Sequence, residues 1–235
     1  MSPTSPNSSV LLIGASRGLG HAIAAEYTER GAQVVATVRG GDRTPLHDLQ
    51  ETAGARLEIE QVDINEPDQA AALRQRLAAR TFDLLFVNAG VTQHDPETTS
   101  ADVSTEEFAR LMITNALSPL RVIETLGGLV PPDGTIAIMS SGQGSVANNE
   151  RGGFEIYRAS KSALNQLMRS YAARHRDDPR TLLLTAPGWV KTGLGGPGAR
   201  LTIGESIPNL VSVIDAQRGH GGLQYIDYQG QIVPW

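Results

Sequence analysis

Short apolar runs rich in β-branched residues alternate along this chain with longer segments of helical period, and that alternation restricts the fold more than any other feature. The runs fall near Val10–Ile13, Gln33–Thr37, Leu57–Gln61, Leu84–Asn88, Thr135–Met139 and Leu182–Thr185, with a short last one near Leu223–Tyr225. Strands apolar along their whole length need cover on both faces, so the pattern predicts an α/β protein with a parallel sheet between layers of helices. With 235 residues and no internal repeat or linker, residues 10–235 are read as one domain. After the initiator, residues 2–9 are only Ser, Pro, Thr and Asn, too polar to bury, so Met1–Ser9 is expected to fray.

Composition removes several classes of function. With zero Cys there are no disulfides, no thiolate nucleophile and no Cys-ligated zinc, and the five His show no metal-ligand spacing, so no metal site is expected. A net charge of −5 leaves no basic stripe for a nucleic-acid backbone. No apolar stretch is long enough to cross a bilayer and no basic secretory start is present, so a soluble cytoplasmic protein without membrane contact is expected. Of the 20 Lys and Arg residues only Lys161 and Lys191 are Lys. A sequence that favours Arg wherever any cation serves points to a chemical need for Lys at 161.

After the first strand comes Gly14-Ala15-Ser16-Arg17-Gly18-Leu19-Gly20, opening onto a helix through Ala22, Ile23, Ala24, Ala25 and Tyr27. Glycines there allow a tight turn and let a pyrophosphate approach the free amides of the helix N-terminus. Such a loop is weak evidence alone, and its place between strand and helix is what strengthens it. The second strand ends at Val38-Arg39, where an NAD-binding fold would carry a carboxylate for the ribose 2′-hydroxyl. Arg39 with Arg17 suits a 2′-phosphate instead, so NADP(H) is favoured over NAD(H). The alternative is a solvated Arg39, with Asp42 turned back to the ribose of NAD.

Tyr157 and Lys161 lie four apart in a helical segment, so both project from one face. An ordinary Tyr is protonated at neutral pH and suits a proton donor. A neighbouring ammonium is expected to favour its phenolate and bring the pKa towards the working pH. Ser141, just after the fifth strand, is the candidate hydroxyl to hold the same substrate oxygen.

Taken together, the glycine loop at 14–20, Asp63, Asn88-Ala89-Gly90, Asn115, Ser140-Ser141, Tyr157-Arg158-Ala159-Ser160-Lys161 and Pro187-Gly188-Trp189-Val190-Lys191-Thr192 resemble the short-chain dehydrogenase/reductase family. The resemblance runs from Val10 to Trp235. It is nearest to sniffer-type carbonyl reductases and bacterial C-factor proteins through residues 157–165, 187–192 and 221–235. It implies a Rossmann-like doubly wound sheet of about seven strands in the order 3-2-1-4-5-6-7. It also implies a catalytic tetrad of Asn115, Ser141, Tyr157 and Lys161, with Asn115 holding a water that links Lys161 to solvent.

The cofactor set implied by the loop and the resemblance is Gly14, Ser16, Arg17, Gly18, Leu19, Gly20, Arg39, Asp63, Ile64, Asn88, Ala89, Gly90, Tyr157, Lys161, Pro187, Gly188, Val190 and Thr192. Within it Asp63 would meet the adenine amino group, and Val190 and Thr192 the nicotinamide carboxamide. One departure matters: Ser141 lies further ahead of Tyr157 than the family's usual spacing, with 143–154 a longer loop. That makes Ser145 a rival for the catalytic hydroxyl. Ser141 is preferred because a strand end fixes it, whereas Ser145 lies in a Gly-rich loop.

The segments 105–126 and 156–175 are apolar over much of their circumference. Burial against a second subunit, giving a homodimer or homotetramer, and deep burial within one chain are both compatible with that periodicity. His94 and Asp95 are read as solvated loop residues, as are Glu97 and Asp102, which lack calcium-loop spacing. Trp189 walls the substrate pocket or packs under the sheet, and 193–198 is read as a lid base. The expected function is hydride transfer between NADP(H) and a small or medium carbonyl or alcohol substrate. The competing reading is a non-catalytic NADP(H)-binding regulator of the C-factor type. A sugar-nucleotide epimerase or dehydratase would need a larger substrate lobe than the stretch after Thr192 offers.

Overall fold

The alternation seen in the sequence becomes one seven-stranded parallel sheet in the order β3-β2-β1-β4-β5-β6-β7. The computed structural model describes residues 8–235. The strands are β1 (Ser9–Ile13), β2 (Gln33–Val38), β3 (Leu57–Gln61), β4 (Leu84–Val87), β5 (Thr135–Met139), β6 (Thr181–Ala186) and β7 (Gly222–Asp227). The helices are α1 (Gly18–Glu29), α2 (Pro45–Ala53), α3 (Pro67–Arg76), α4 (Thr105–Met112), α5 (Ser118–Leu126), α6 (Glu155–Arg174) and α7 (Ile203–Ala216). Among the described residues, no helix is long and apolar enough to cross a membrane.

Successive side chains of β1 feed opposite cores, as the period of a strand requires. Leu11 and Ile13 join Leu73 of α3, Ile123 of α5 and Leu164 and Met168 of α6. Val10 and Leu12 join Ile23 and Tyr27 of α1, Leu46 of α2 and Leu210 and Ile214 of α7. Each fully buried Leu or Ile adds about 1.5–3 kcal/mol, which explains why this apolar pattern alone announces the sheet.

Two boundaries differ from the sequence reading. Ser8 and Ser9, expected to fray, are tied to the sheet: Ser9 is the first residue of β1, and the Ser8 carbonyl accepts the Gln33 amide of β2 at 2.8 Å. The cause is Asp83, whose carboxylate accepts the Ser9 amide at 2.8 Å and its hydroxyl at 3.0 Å. The rest of the expected tail, residues 1–7, lies outside the described residues. The second difference is in the 105–126 segment, which is not one regular helix. A π-helical turn, Ile113–Leu117, separates α4 from α5 and carries Asn115. Such widened turns shift the register of everything after them, and they recur at functional sites.

Candidate active site

All the strands run parallel, so their C-terminal ends share one rim, and ligands of such sheets bind outside that rim. A cleft of about 1310 Å³ opens there, bordered by the turns after β1, β2, β3, β4, β5 and β6. The turn after β1 is built around glycines. Gly14 has φ of +89°, and a Cβ there would come within 2.7 Å of Ala89. A Cβ on Gly20 would lie 2.1 Å from the Gly14 carbonyl. Both positions therefore exclude a side chain. The loop is then pinned from two sides: the Gly14 amide donates to the Thr37 hydroxyl at 2.9 Å, and Asn88 Nδ2 donates to the Gly14 carbonyl at 2.7 Å.

Every residue of the expected cofactor set except Gly20 borders this cleft. Gly20 instead lets α1 approach the loop. Arg17 and Arg39 are both exposed along it, and among the described residues neither forms an ion pair with a carboxylate. Arg43, close by, is bound to Asp48 and Glu51, each at 2.6 Å. Asp42 also borders the cleft. The cradle thus offers two free guanidinium groups, a combination that matches a phosphorylated ribose.

At the other end, α6 presents Tyr157 and Lys161 on one face, and both reach the cleft floor. Lys161 Nζ donates to the Met139 carbonyl at 2.9 Å and lies 5.9 Å from the centre of the Tyr157 ring. Desolvation brings this ammonium down to about 8. Tyr157 moves the opposite way from the sequence expectation. Enclosure by protein pushes its phenol up to about 12, while the Ser141 side chain, as a hydrogen-bond partner, pulls it down. Burial dominates, and the neighbouring Tyr225 phenol adds to the rise.

Ser141 borders the cleft beside Tyr157, and its hydroxyl accepts the Gln143 amide at 3.2 Å. Ser145, the rival, is buried at 1% exposure, does not border the cleft, and accepts the Asn148 amide at 3.1 Å. Asn115 is fully buried. Its Oδ1 accepts the Val91 amide at 2.8 Å, and its Nδ2 donates to the Val91 carbonyl at 2.8 Å and to Ser160 Oγ at 3.0 Å. Both amide hydrogens are used, so the side chain fixes the 90–92 turn beside Lys161. A Cβ on Gly90 would sit 3.2 Å from Asn115 Oδ1, a tight contact, and 3.5 Å from Lys161 Nζ, so this backbone packs closely against both groups.

Residues the sequence did not mark support or border the cleft. Gln93 is buried; its Oε1 accepts the Tyr157 amide at 3.0 Å and its Nε2 donates to the Asp95 carbonyl at 2.8 Å. It ties the head of α6 to the 93–98 loop. Asn65 borders the cleft and links the turn after β3 to α5, accepting from the Ser118 hydroxyl at 2.8 Å. Single Gln and Asn residues in loops carry no periodic signal, so only the fold reveals them. His94, expected to be solvated, is exposed and 3.0 Å from Glu107, yet borders the cleft. Trp189 walls the cleft rather than packing under the sheet: it is 50% exposed and fixed by a 2.8 Å bond from its Nε1 to the Gly195 carbonyl.

Comparison with known proteins identifies the family and the fold. A family model described as Enoyl-(Acyl carrier protein) reductase matches residues 14–202. The structure is similar to a crystal structure of a short-chain dehydrogenase/reductase from Burkholderia multivorans with bound NADP, at 60% identity and a TM-score of 0.96 over 98% of this chain and 100% of that one. It is similar to a carbonyl reductase from Pseudomonas aeruginosa PAO1 in complex with NADP, at 39% identity and a TM-score of 0.90 over 97% and 100% of the two chains. It also shares 39% identity over 157 residues, 65% of this chain and 92% of the relative, with the C-signal protein of Myxococcus xanthus. The chain belongs to the short-chain dehydrogenase/reductase family of oxidoreductases.

Proposed function

We propose that this protein is an NADP(H)-dependent oxidoreductase acting between a carbonyl and a hydroxyl carbon of a small or medium organic substrate, with Tyr157 as proton donor and acceptor. The observation that carries the reading is the convergence of Tyr157, Lys161 and Ser141 on the floor of a cleft whose far end offers Arg17 and Arg39 without carboxylate partners. The NADP bound to the Burkholderia and Pseudomonas relatives supports the choice of cofactor.

A nicotinamide dinucleotide in this cleft supplies or accepts the hydride. The chain's own part is to hold the substrate oxygen and move one proton. Ser141 Oγ donates to the oxygen and fixes it next to the phenol. As charge grows on that oxygen, Tyr157 Oη gives up its proton, and the Lys161 ammonium stabilises the phenolate left behind. In the oxidative direction the same phenolate takes the proton back. Asn115 keeps the 90–92 turn and Lys161 in register. Trp189 and Leu194, both about half exposed, form apolar wall above the floor.

The test is loss of NADPH absorbance with a panel of ketones, aldehydes and quinones, abolished by Tyr157→Phe. A second reading, an NADP(H)-binding regulator, is favoured by the likeness to the C-signal protein. Tight NADPH binding without turnover on any member of the panel would replace the first reading with the second. We also propose a homodimer or homotetramer through the 105–126 and 156–175 segments, where Phe108, Ile113, Leu117 and Leu167 are exposed at 42%, 40%, 39% and 39%. Large apolar side chains left exposed on these segments suit a covered interface.

A further inference from the structure

Tyr225 stands on β7, two strands away from the strand that leads to Ser141. In the sheet register Tyr225 lies opposite Leu184 of β6, and Leu184 opposite Ile138 of β5. The Tyr225 side chain crosses that distance and is 2% exposed. Its hydroxyl donates to the main-chain carbonyl of Ser141, which also accepts the Gly144 amide at 2.8 Å. Two donors thus occupy that carbonyl, one from its own turn and one from the far edge of the sheet. A buried phenol needs such a partner, and here the partner is the backbone that carries the candidate catalytic hydroxyl.

Tyr225 is itself held by the segment that follows β7. The Val233 amide donates to the Tyr225 carbonyl at 2.8 Å, and the Trp235 ring lies 5.5 Å from the Tyr225 ring. The Arg169 guanidinium of α6 sits 4.5 Å above the Trp235 ring. The Trp235 carbonyl accepts the Ala147 amide at 3.0 Å, which ties the same segment to the long loop between Ser141 and α6. Cation–π and backbone contacts therefore fasten Trp235 on two sides.

We propose that Tyr225 is a positioning residue for the Ser141–Tyr157 pair, and that Trp235 locks Tyr225 to the 145–149 loop. The assignment rests on the reading of Ser141 as the hydroxyl that holds the substrate oxygen. Tyr225→Phe keeps the ring and removes the hydroxyl that bonds the Ser141 carbonyl and also meets the Asn165 and Ser140 side chains. Hydrogen–deuterium exchange of the protein is expected to speed up at least about fivefold across 140–149, the effect of losing the hydrogen bond to the Ser141 carbonyl, with the 14–20 loop unchanged. In the same variant kcat falls about tenfold through misplacement of Ser141, while the NADPH dissociation constant holds.

Trp235→Leu, a change at the protein surface, is expected to give a smaller acceleration confined to the same loop. Parent-like exchange in 140–149 in both variants overturns the assignment. So does an acceleration spread equally over the 14–20 loop with NADPH binding lost, which would mark a merely structural tyrosine. Exchange needs no turnover, so a parent protein inactive on every carbonyl counts against the proposed reaction and not against this contact.

Discussion

The Lys161 ammonium donates to the main-chain carbonyl of Met139 at 2.9 Å, joining the end of β5 to the second turn of α6 through a cation that is 3% exposed. The bond orients the group, yet desolvation still holds it down to about 8. A charged group buried in this way is a cost to folding.

Lys161→Met is expected to lower turnover by about 10²- to 10⁴-fold and to raise the melting temperature at pH 7. At that pH the ammonium is protonated in both the folded and the unfolded chain, so folding bears the whole desolvation cost, about 3 kcal/mol. Loss of the bond to Met139 offsets about 1 kcal/mol of the gain. As pH rises through 8 towards the ordinary Lys value, the folded chain releases its proton first and the cost is relieved. The variant's advantage therefore shrinks in the alkaline range. Thermal melts of both proteins at several pH values check this, and a variant that melts lower at pH 7 would contradict it.

Carbonyl reduction is expected to hold steady below about 8 and to decline above it. The phenol, pushed up to about 12, remains protonated there, but Lys161 loses the charge that stabilises the departing phenolate. The log of kcat/KM against pH gives the answer. An alkaline limb absent up to about 10, the range of an unperturbed Tyr, would mean that another group controls the proton.

Arg39→Ala should weaken NADPH binding roughly 10- to 100-fold and leave NADH unchanged, the loss of charge-assisted bonds to one phosphate. Fluorescence titration with both nucleotides measures the gap. Equal affinity for the two in the parent protein removes the assignment of Arg39.

Ser141→Ala should lose about 10²-fold in kcat, whereas Ser145→Ala should stay within a few-fold of the parent, because Ser145 faces the Asn148 amide and not the cleft. Steady-state kinetics on one reactive ketone compares them. Full turnover by Ser141→Ala would pass the role to another hydroxyl.

Leu117→Glu, placed on the exposed apolar face of the π-helical turn, should convert a dimer to monomers without lowering NADPH affinity. Light scattering reads the mass, and a monomeric parent would end the proposal.

The sequence by itself determined the sheet and the two ends of the cleft. Apolar strands need two covered faces, and the glycines at 14 and 20 and the four-residue step from Tyr157 to Lys161 act through their own backbone geometry, which needs no tertiary knowledge to read. Tertiary structure decided everything set by packing at a distance. The phenol of Tyr157 rises because of enclosure, and no neighbour in sequence announces that. The 105–126 segment widens into a π-helical turn, burying Asn115 while leaving Phe108, Ile113 and Leu117 exposed, although helical periodicity treats the whole stretch alike. Gln93, Asn65 and Tyr225 reach the site from loops and a distant strand, and a lone polar side chain carries no pattern until the fold supplies its partner.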